Sequence, residues 1–438
     1  MSQRWQKFWY YQLFVLVVSS AILFASTLLT GYAHVWRLFA FAYVAVLIID
    51  TWLLYLLLLR TELAPPHYPP YAGEEIAVLI ACYNEDPDLL ERALASVAAA
   101  DGNKRVFVID DGSTNGIQAR LQELCDRYGM AVSFRPENAG KRQALRYAAV
   151  RLPETADFVV TIDSDTVLDP AALIRVVEPL KAARIAASTG DVRLLNEWRN
   201  AITRMVGAYY WIGLNLYKRA LSGVGSVSCC SGCLAAYRRE VFVAIIDDFA
   251  SQRFLGTICT HSEDRHLTNL VLRLGHDVVY VPEAISFTLT PHTLAGFVRQ
   301  QLRWKRGFVR ESLFTASYGW HNKRLLFCQI VFWDLTAPYV TLALRLAMVG
   351  LLITEPTYFV SRILPAVAVF LVVRYSLLFV RAPRKIAGIF IYAVLYETVL
   401  YWVNLWALFT VKNSSWLTRG PTPGHRRGAA TDFGSSIL

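Results

Sequence analysis

Two pairs of carboxylates sit in this chain where short apolar runs end. Asp163-Ser164-Asp165 follows the run Phe158 to Ile162, and Asp110-Asp111-Gly112-Ser113 follows Arg105 to Ile109. Carboxylates one residue apart at a bend can converge on one divalent ion. Mg²⁺ or Mn²⁺ favours such hard oxygen ligands and leaves positions for diphosphate oxygens. The ion would neutralise charge building on a departing nucleotide diphosphate. Asp-x-Asp is common by chance; its place after a strand, with a second acidic strand end upstream, gives it weight. Asp110 and Asp111 can accept hydrogen bonds from a base or ribose or help hold a cation, although Asp-Gly also makes a plain turn. Gly140-Lys141-Arg142 opens a helix and offers amides and cations suited to phosphate, or else forms a solvated basic turn.

Farther along, Glu263-Asp264-Arg265-His266 sets two acids side by side. A carboxylate in that position, near a diphosphate, can deprotonate an acceptor hydroxyl as a general base; a surface charge cluster is the alternative. His266 reads as a structural histidine. In Gln300-Gln301-Leu302-Arg303-Trp304, Arg303 can clamp phosphate bidentately, Trp304 offers a flat face for a sugar ring, and Gln300 an amide for hydroxyls. The same segment, continuing into Lys305 and Arg306, also reads as a basic amphipathic helix on a membrane surface. The two readings are compatible.

The elements that must position these residues alternate. The pattern predicts strands over Ile76 to Ala81, Arg105 to Ile109, Ala131 to Arg135 and Phe158 to Ile162. Between them it predicts helices over Asp88 to Ala100, Gly116 to Tyr128 and Lys141 to Val150. Such alternation makes a mostly parallel, doubly wound α/β sheet, which takes ligands beyond the carboxyl ends of its strands. The acidic motifs fall at those ends.

Around this soluble-looking middle the chain is apolar. Of 438 residues, 55% are hydrophobic and 18% charged, with mean hydropathy +0.35. Apolar runs from about Leu13 to Leu29 and Val35 to Leu59 are long enough to span a membrane. Arg4, Lys7 and Arg60 place both ends of that hairpin in the cytoplasm. Asp50, inside the second run, should face protein rather than lipid. Three more runs follow, about Leu325 to Ile353, Tyr358 to Val380 and Ile386 to Val411, with a basic loop at Arg381 to Lys385. The expected organisation is a transmembrane hairpin over 1–63 and a cytoplasmic catalytic domain with interfacial helices over 64–321. Transmembrane or channel helices follow over 322–411, then a tail over 412–438 that is disordered past Gly420. The net charge of +10 suits an anionic lipid surface or a phosphate-bearing substrate, and no aromatic-interleaved basic stripe favours nucleic acid. Cys229, Cys230 and Cys233 lack the second ligand pair of a zinc site and read as reduced cysteines.

Taken in order, Asp110-Asp111-Gly112-Ser113, Gly140-Lys141-Arg142, Asp163-Ser164-Asp165, Glu263-Asp264-Arg265-His266-Leu267-Thr268 and Gln300-x-x-Arg303-Trp304 resemble the processive family-2 glycosyltransferases. The resemblance is to the hyaluronan synthases and NodC-type chitooligosaccharide synthases, from the first apolar hairpin to about Arg419. It implies a GT-A catalytic domain between membrane helices, an inverting reaction, and a glycan threaded through the enzyme's own helices. By carry-over Tyr83, Asp110 and Asp111 resemble the uridine pocket, Lys141 a donor-binding lysine, and Asp163 and Asp165 the metal and diphosphate pair. Asp264 resembles the catalytic base. Arg303 resembles a diphosphate ligand, Gln300 and Trp304 the acceptor site at the channel mouth, and Cys230-Ser231-Gly232 the acceptor-side loop. Trp416 and Arg419 resemble the C-terminal gating motif.

The resemblance implies UDP-sugar donors, Mg²⁺ or Mn²⁺, a growing glycan chain and a lipid bilayer as partners. It also implies a multi-pass plasma (inner) membrane location with a cytoplasmic catalytic domain. The leading expectation is polymerisation of N-acetylglucosamine, alternating with glucuronate. A NodC-like synthase using UDP-N-acetylglucosamine alone, or a non-processive transferase acting on a lipid, are alternatives. Glu263 before Asp264 and Leu417 after Trp416 lean toward the NodC type. The N-terminal hairpin and Phe254-Leu255-Gly256-Thr257 lean toward hyaluronan synthases. A transporter with a degenerate soluble domain would have no chemical reason to keep these acids. Three C-terminal spans would leave Trp416 outside the membrane, so one apolar run must be interfacial or broken if the gating role holds.

Overall fold

The computed structural model describes residues 35–413. The first apolar run, Leu13 to Leu29, and the pair Trp416 and Arg419 lie outside the described residues. In chain order the described elements open with α1 (Val35–Leu63), β1 (Ile76–Cys82), α2 (Pro87–Ala99) and β2 (Lys104–Asp110). Next come α3 (Gln118–Tyr128), β3 (Ala131–Phe134), α4 (Lys141–Ala149), β4 (Phe158–Asp163), β5 (Val167–Leu168) and α5 (Ala172–Val177). β6 (Ile185–Leu194) leads to α6 (Ala201–Ile212), which runs on through a π-helical stretch, Gly213–Lys218, and a last turn, Arg219–Ser222. β7 (Ala235–Arg238), α7 (Arg239–Ala250) and a small hairpin, β8 (Arg253–Phe254) and β9 (Thr257–Ile258), precede α8 (Glu263–Arg273). β10 (Asp277–Thr288) and the long α9 (Leu294–Asn322) complete the α/β domain.

The main sheet has eight strands in the order β3-β2-β1-β4-β7-β6-β10-β5. β3, β2, β1 and β4 are parallel, as the alternating pattern requires, and their observed ends fall within two residues of those expected. β7 enters antiparallel between β4 and β6, and β10 runs parallel to β6. The fold is GT-A-like. β1, reading IAVLIAC, is buried along its whole length because helices cover both faces. Its residues still alternate: Ala77, Leu79 and Ala81 join the core on one face, Ile76, Val78, Ile80 and Cys82 that on the other. Local signals set the helices. Asp86 caps α2 by accepting from the amides of Asp88 (3.0 Å) and Leu89 (3.1 Å), and Pro87 takes the first helical position.

Three described helices are long and apolar enough to cross a membrane: Val44–Leu63, Pro356–Arg374 and Pro383–Phe409. The apolar run Tyr358 to Val380 is not one helix, since Tyr375 breaks it and Ser376–Arg381 follows as a separate short piece. Asp50 does face protein, paired with Arg374. The helix Pro383–Phe409 is held to the α/β domain at both ends. Lys385 pairs with Glu197 just ahead of α6, and Thr410 Oγ1 accepts from Arg306 Nε of α9 at 3.0 Å. Between these points Tyr392 stacks on Tyr209 at 4.6 Å, and the backbone at Gly388 approaches α6 closely. This helix therefore lies along the domain rather than leading away from it.

Candidate active site

The parallel strands β1, β2 and β4 deliver their carboxyl-terminal residues to one edge. Asp110, at the end of β2, is buried; its Oδ2 accepts from the Ser113 amide at 3.3 Å and its Oδ1 has no hydrogen-bond partner. A buried carboxylate oxygen left open at a strand end is suited to a ligand donor. Asp111 is otherwise engaged. It accepts from Arg135 (2.6 Å) and from the amides of Gly140 (2.7 Å) and Ala139 (3.3 Å), so it fixes the turn that starts α4. Burial raises the Asp111 pKa against these donors. Gly112, at φ 73°, presses against the backbone of Glu137 and Asn138, where a Cβ would come within 2.5 Å. The two acidic residues thus differ in kind.

Lys141, the first residue of α4, is the hub of the site. Its ammonium pairs with Asp163 at the end of β4 and lies 3.6 Å from Glu263 at the start of α8. Burial opposes its charge, but Asp163 and Glu263 outweigh it and raise the pKa, so Lys141 is a fixed cation. Asp165 is pushed up by burial and then by Asp163 and Glu85, a crowding of like charges. Glu85, two residues past Tyr83, reaches this cluster through Ser164 Oγ, which hydrogen-bonds its carboxylate at 2.9 Å. The Asp163 amide donates to the Gly232 carbonyl at 2.9 Å, and a Cβ on Gly232 would fall 2.8 Å from Asp163 Oδ2. The Cys230-Ser231-Gly232 loop therefore lies directly against the Asp163 carboxylate. Among the described residues no three His, Cys, Asp or Glu side chains form a metal-holding group. A cation on Asp163 and Asp165 would complete its shell from the substrate and water.

Glu263 and Asp264 begin α8 after Ser262, whose φ of 59° is left-handed. Burial would raise both acids, but they part company. Lys141, then Arg142 and Arg303, hold Glu263 well below the carboxylate range, whereas burial and the Glu263 charge push Asp264 up. That contrast suits Glu263 to balancing Lys141 and Asp264 to taking a proton. Asp264 Oδ1 accepts from the Arg265 amide at 2.7 Å, and Oδ2 from Cys229 Sγ at 3.5 Å. Thr268 locks the loop to this helix by donating to the Asp264 carbonyl (2.7 Å) and accepting from the Cys230 amide (2.8 Å). Lys141, Cys230, Gly232, Glu263 and Asp264 line one small pocket.

Below it, α9 supplies a buried polar layer. Glu311 accepts from His266 Nδ1 at 3.0 Å and from Gln252 at 2.7 Å; its pKa, which burial alone would raise, is held down to about 2 by His266 first. His266 is accordingly structural. Arg310 donates to the His261 carbonyl at 2.8 Å, and His261 faces the Asn413 carbonyl at 3.5 Å. The last described residue thus sits beside the loop that carries Glu263 and Asp264. On the same helix the Arg303 charge is felt by both Glu263 and Tyr210, and Trp304 lies 6.2 Å from the Tyr210 ring. Gln300 Oε1 is buried without a partner.

Sequence reading grouped Lys141, Asp163, Asp264 and the 230–232 loop, and the fold brings them together. It gave no role to Glu85 or the Glu311 layer, and it read Cys229 only as a reduced cysteine. Glu85 had a signal, an acid one turn beyond a buried strand; the others become visible only when separate elements meet.

A family model described as glycosyltransferase-like family 2 matches residues 72–307. The N-acetylglucosaminyltransferase of Mesorhizobium japonicum is 31% identical over 371 residues, covering 82% of this chain and 86% of its own length. That of Sinorhizobium fredii is 32% identical over 356 residues, 80% of this chain and 85% of the relative. Among solved structures, the mannosyltransferase PcManGT from Pyrobaculum calidifontis, in complex with GDP-mannose and Mn²⁺, superposes with TM-score 0.56 at 18% identity. The match covers 83% of this chain and 98% of that one, and shows a shared fold.

Proposed function

This chain belongs to glycosyltransferase-like family 2, and from that premise we propose that it polymerises N-acetylglucosamine, alternating with glucuronate, from UDP-sugars. The observation that carries the transfer reading is Lys141 joined to Asp163 and Glu263, with Asp264 next in the chain and raised in pKa. Asp264 Oδ2 takes the proton of an acceptor hydroxyl, the oxygen attacks the anomeric carbon with inversion, and the bond from that carbon to the diphosphate breaks. Lys141 and Arg303 balance the charge on the leaving UDP. Tyr83 and Asp110 hold the uridine, Asp110 through its open Oδ1, while Asp111 keeps the α4 turn in place. Asp163 and Asp165 fit Mg²⁺ or Mn²⁺, because their crowded negative charge is what a divalent cation relieves. When bound, the ion supplies positive charge to the diphosphate.

Processivity rests on position. Gln300, Arg303 and Trp304 stand on α9, and Arg306 of the same stretch donates to Thr410 at the end of the last apolar helix, which supports an acceptor at Trp304 lying beside the helical block. We place Arg324–Thr354 and Pro356–Arg374 as an outward and a returning span, with Pro383–Phe409 in the interface on the cytoplasmic side. That order returns Asn413 to the active site, and it is compatible with the gating role of Trp416 and Arg419, which lie outside the described residues. On this reading the chain is organised as a hairpin over 1–63, a catalytic domain over 64–321, apolar helices over 322–411 and a tail over 412–438, in the inner membrane. The rhizobial relatives favour a second reading, a chitooligosaccharide synthase using UDP-N-acetylglucosamine alone.

The test is UDP release and product size from membranes given Mg²⁺ or Mn²⁺ and UDP-N-acetylglucosamine, with and without UDP-glucuronate. A large, hyaluronidase-sensitive product needing both donors supports the first reading. Short chitinase-sensitive oligomers from one donor support the second. No UDP release from either donor overturns both.

A further inference from the structure

The site holds a cation that the transfer chemistry leaves unused. Lys218 closes the π-helical stretch Gly213–Lys218, and its Nζ donates to Ser231 Oγ at 2.7 Å. Ser231 belongs to the loop that backs Asp163, and Cys229, two residues before it in the same loop, lies 3.5 Å from Asp264. Burial holds the Cys229 thiol high; Asp264 adds to this and Lys218 opposes it, so both charges reach this thiol. Neighbouring cations are already matched: Lys141 by Asp163 and Glu263, and Arg219 by Glu62 at 2.9 Å. Among the described residues no carboxylate lies within 4 Å of Lys218 Nζ, and one of its three protons is donated to the protein. A half-buried ammonium in that state attracts an anion.

Its placement is held from the other side. Tyr217, the preceding residue, accepts from Arg374, whose guanidinium also pairs with Asp50 and donates to Thr51 Oγ1 at 3.1 Å. The wider π turn separates two neighbours: Tyr217 is tied to the helical block and Lys218 is directed to the acceptor-side loop. Lys218 is thereby fixed in direction.

We propose that Lys218 is a specificity-determining residue that binds the carboxylate of an acidic sugar, a hexuronate, in the acceptor or donor sugar beside Asp264. This rests on the transfer reading above and names the chemical class that the site selects. A neutral sugar would leave the ammonium without a counter-ion; a uronate supplies one at the position where the protein does not.

The experiment compares wild type, Lys218→Met and Lys218→Arg in membranes. It measures UDP release from UDP-N-acetylglucosamine alone and with UDP-glucuronate, and the affinity for UDP by itself. The expected result is that wild type incorporates glucuronate. Lys218→Met then lowers glucuronate turnover relative to N-acetylglucosamine turnover at least tenfold, Lys218→Arg restores most of the ratio, and UDP affinity stays within twofold. A wild type that releases UDP from UDP-N-acetylglucosamine but never uses glucuronate overturns the proposal and leaves the transfer reading intact. An unchanged ratio in Lys218→Met overturns it too. A tenfold loss of UDP affinity would instead put Lys218 on the diphosphate. No UDP release from any donor would sink the transfer reading itself.

Discussion

At the scale of single residues, adjacent acids of like chemistry are given different tasks by their surroundings. Asp110 keeps an open oxygen, while Asp111 is consumed in holding a turn. Glu263 is held ionised by Lys141, while Asp264 is pushed toward protonation by burial and by Glu263 itself. Asp264→Asn should therefore cut transfer by about 10³-fold, the size expected for loss of a general base, while UDP binding, read by calorimetry, is kept. Loss of UDP binding would move Asp264 into the donor site. The sign of the pH effect follows. The base works as a carboxylate and its folded pKa is raised, so activity falls on acidification at a pH above the ordinary Asp value of about 3.9. The kcat/KM profile checks this, and an acid limb at or below the ordinary value would contradict it.

At the scale of elements, α9 decides where the catalytic acids stand. Gly307 lets this helix press on Ser262, the left-handed residue ahead of Glu263, and a Cβ at 307 would fall 1.6 Å from Ser262 Oγ. Gly307→Ala should lower transfer at least tenfold by moving the start of α8. Ser262→Gly removes the clashing oxygen and suits φ 59°, so alone it should be mild, and combined with Gly307→Ala it should restore activity. A double variant no better than Gly307→Ala would mean that the glycine matters for another reason. The signal for α9 itself was in the sequence, as an amphipathic basic helix. Its contact with Ser262, more than forty positions earlier, was not.

At the scale of the molecule, the apolar helices are joined to one another by charge as well as by apolar packing. Asp50 of α1 and Arg374 form one such tie; Arg345 and Glu397, bridged at 2.7 and 3.0 Å, form another between two apolar helices. Breaking a buried pair leaves one charge stranded, at about 3–5 kcal/mol, more than removing both. Arg374→Met should lower the melting temperature in detergent more than the double variant Asp50→Leu, Arg374→Met. Equal losses would show that the pair is already solvated. The return of Pro383–Phe409 to the catalytic domain carries a topological expectation. Cysteines placed at Arg384 and Asn413, in a background lacking the native ones, should react with a membrane-impermeant maleimide from the cytoplasmic side. Labelling of Asn413 from the opposite side only would overturn the interfacial placement.

Local patterns determined much of this protein from sequence alone. The parallel half of the sheet was legible because β1, β2 and β4 are apolar runs whose ends carry turn-forming acids, and each signal is complete within about ten residues. The family was legible because its chemistry needs several carboxylates and cations in a fixed order. After β4 the reading thinned: β7 enters antiparallel between β4 and β6, a pairing of strands distant in sequence that no local period announces. Hydropathy counted three C-terminal apolar runs but could not tell a span from a helix lying along the domain. Lys385 with Glu197 and Thr410 with Arg306, which tie the last helix to the domain, are visible only in the fold. The electrostatic roles came last, because a pKa depends on which charges meet. Lys141 lies more than a hundred residues from Glu263 and Asp264 in the chain until the fold brings α4 and α8 together.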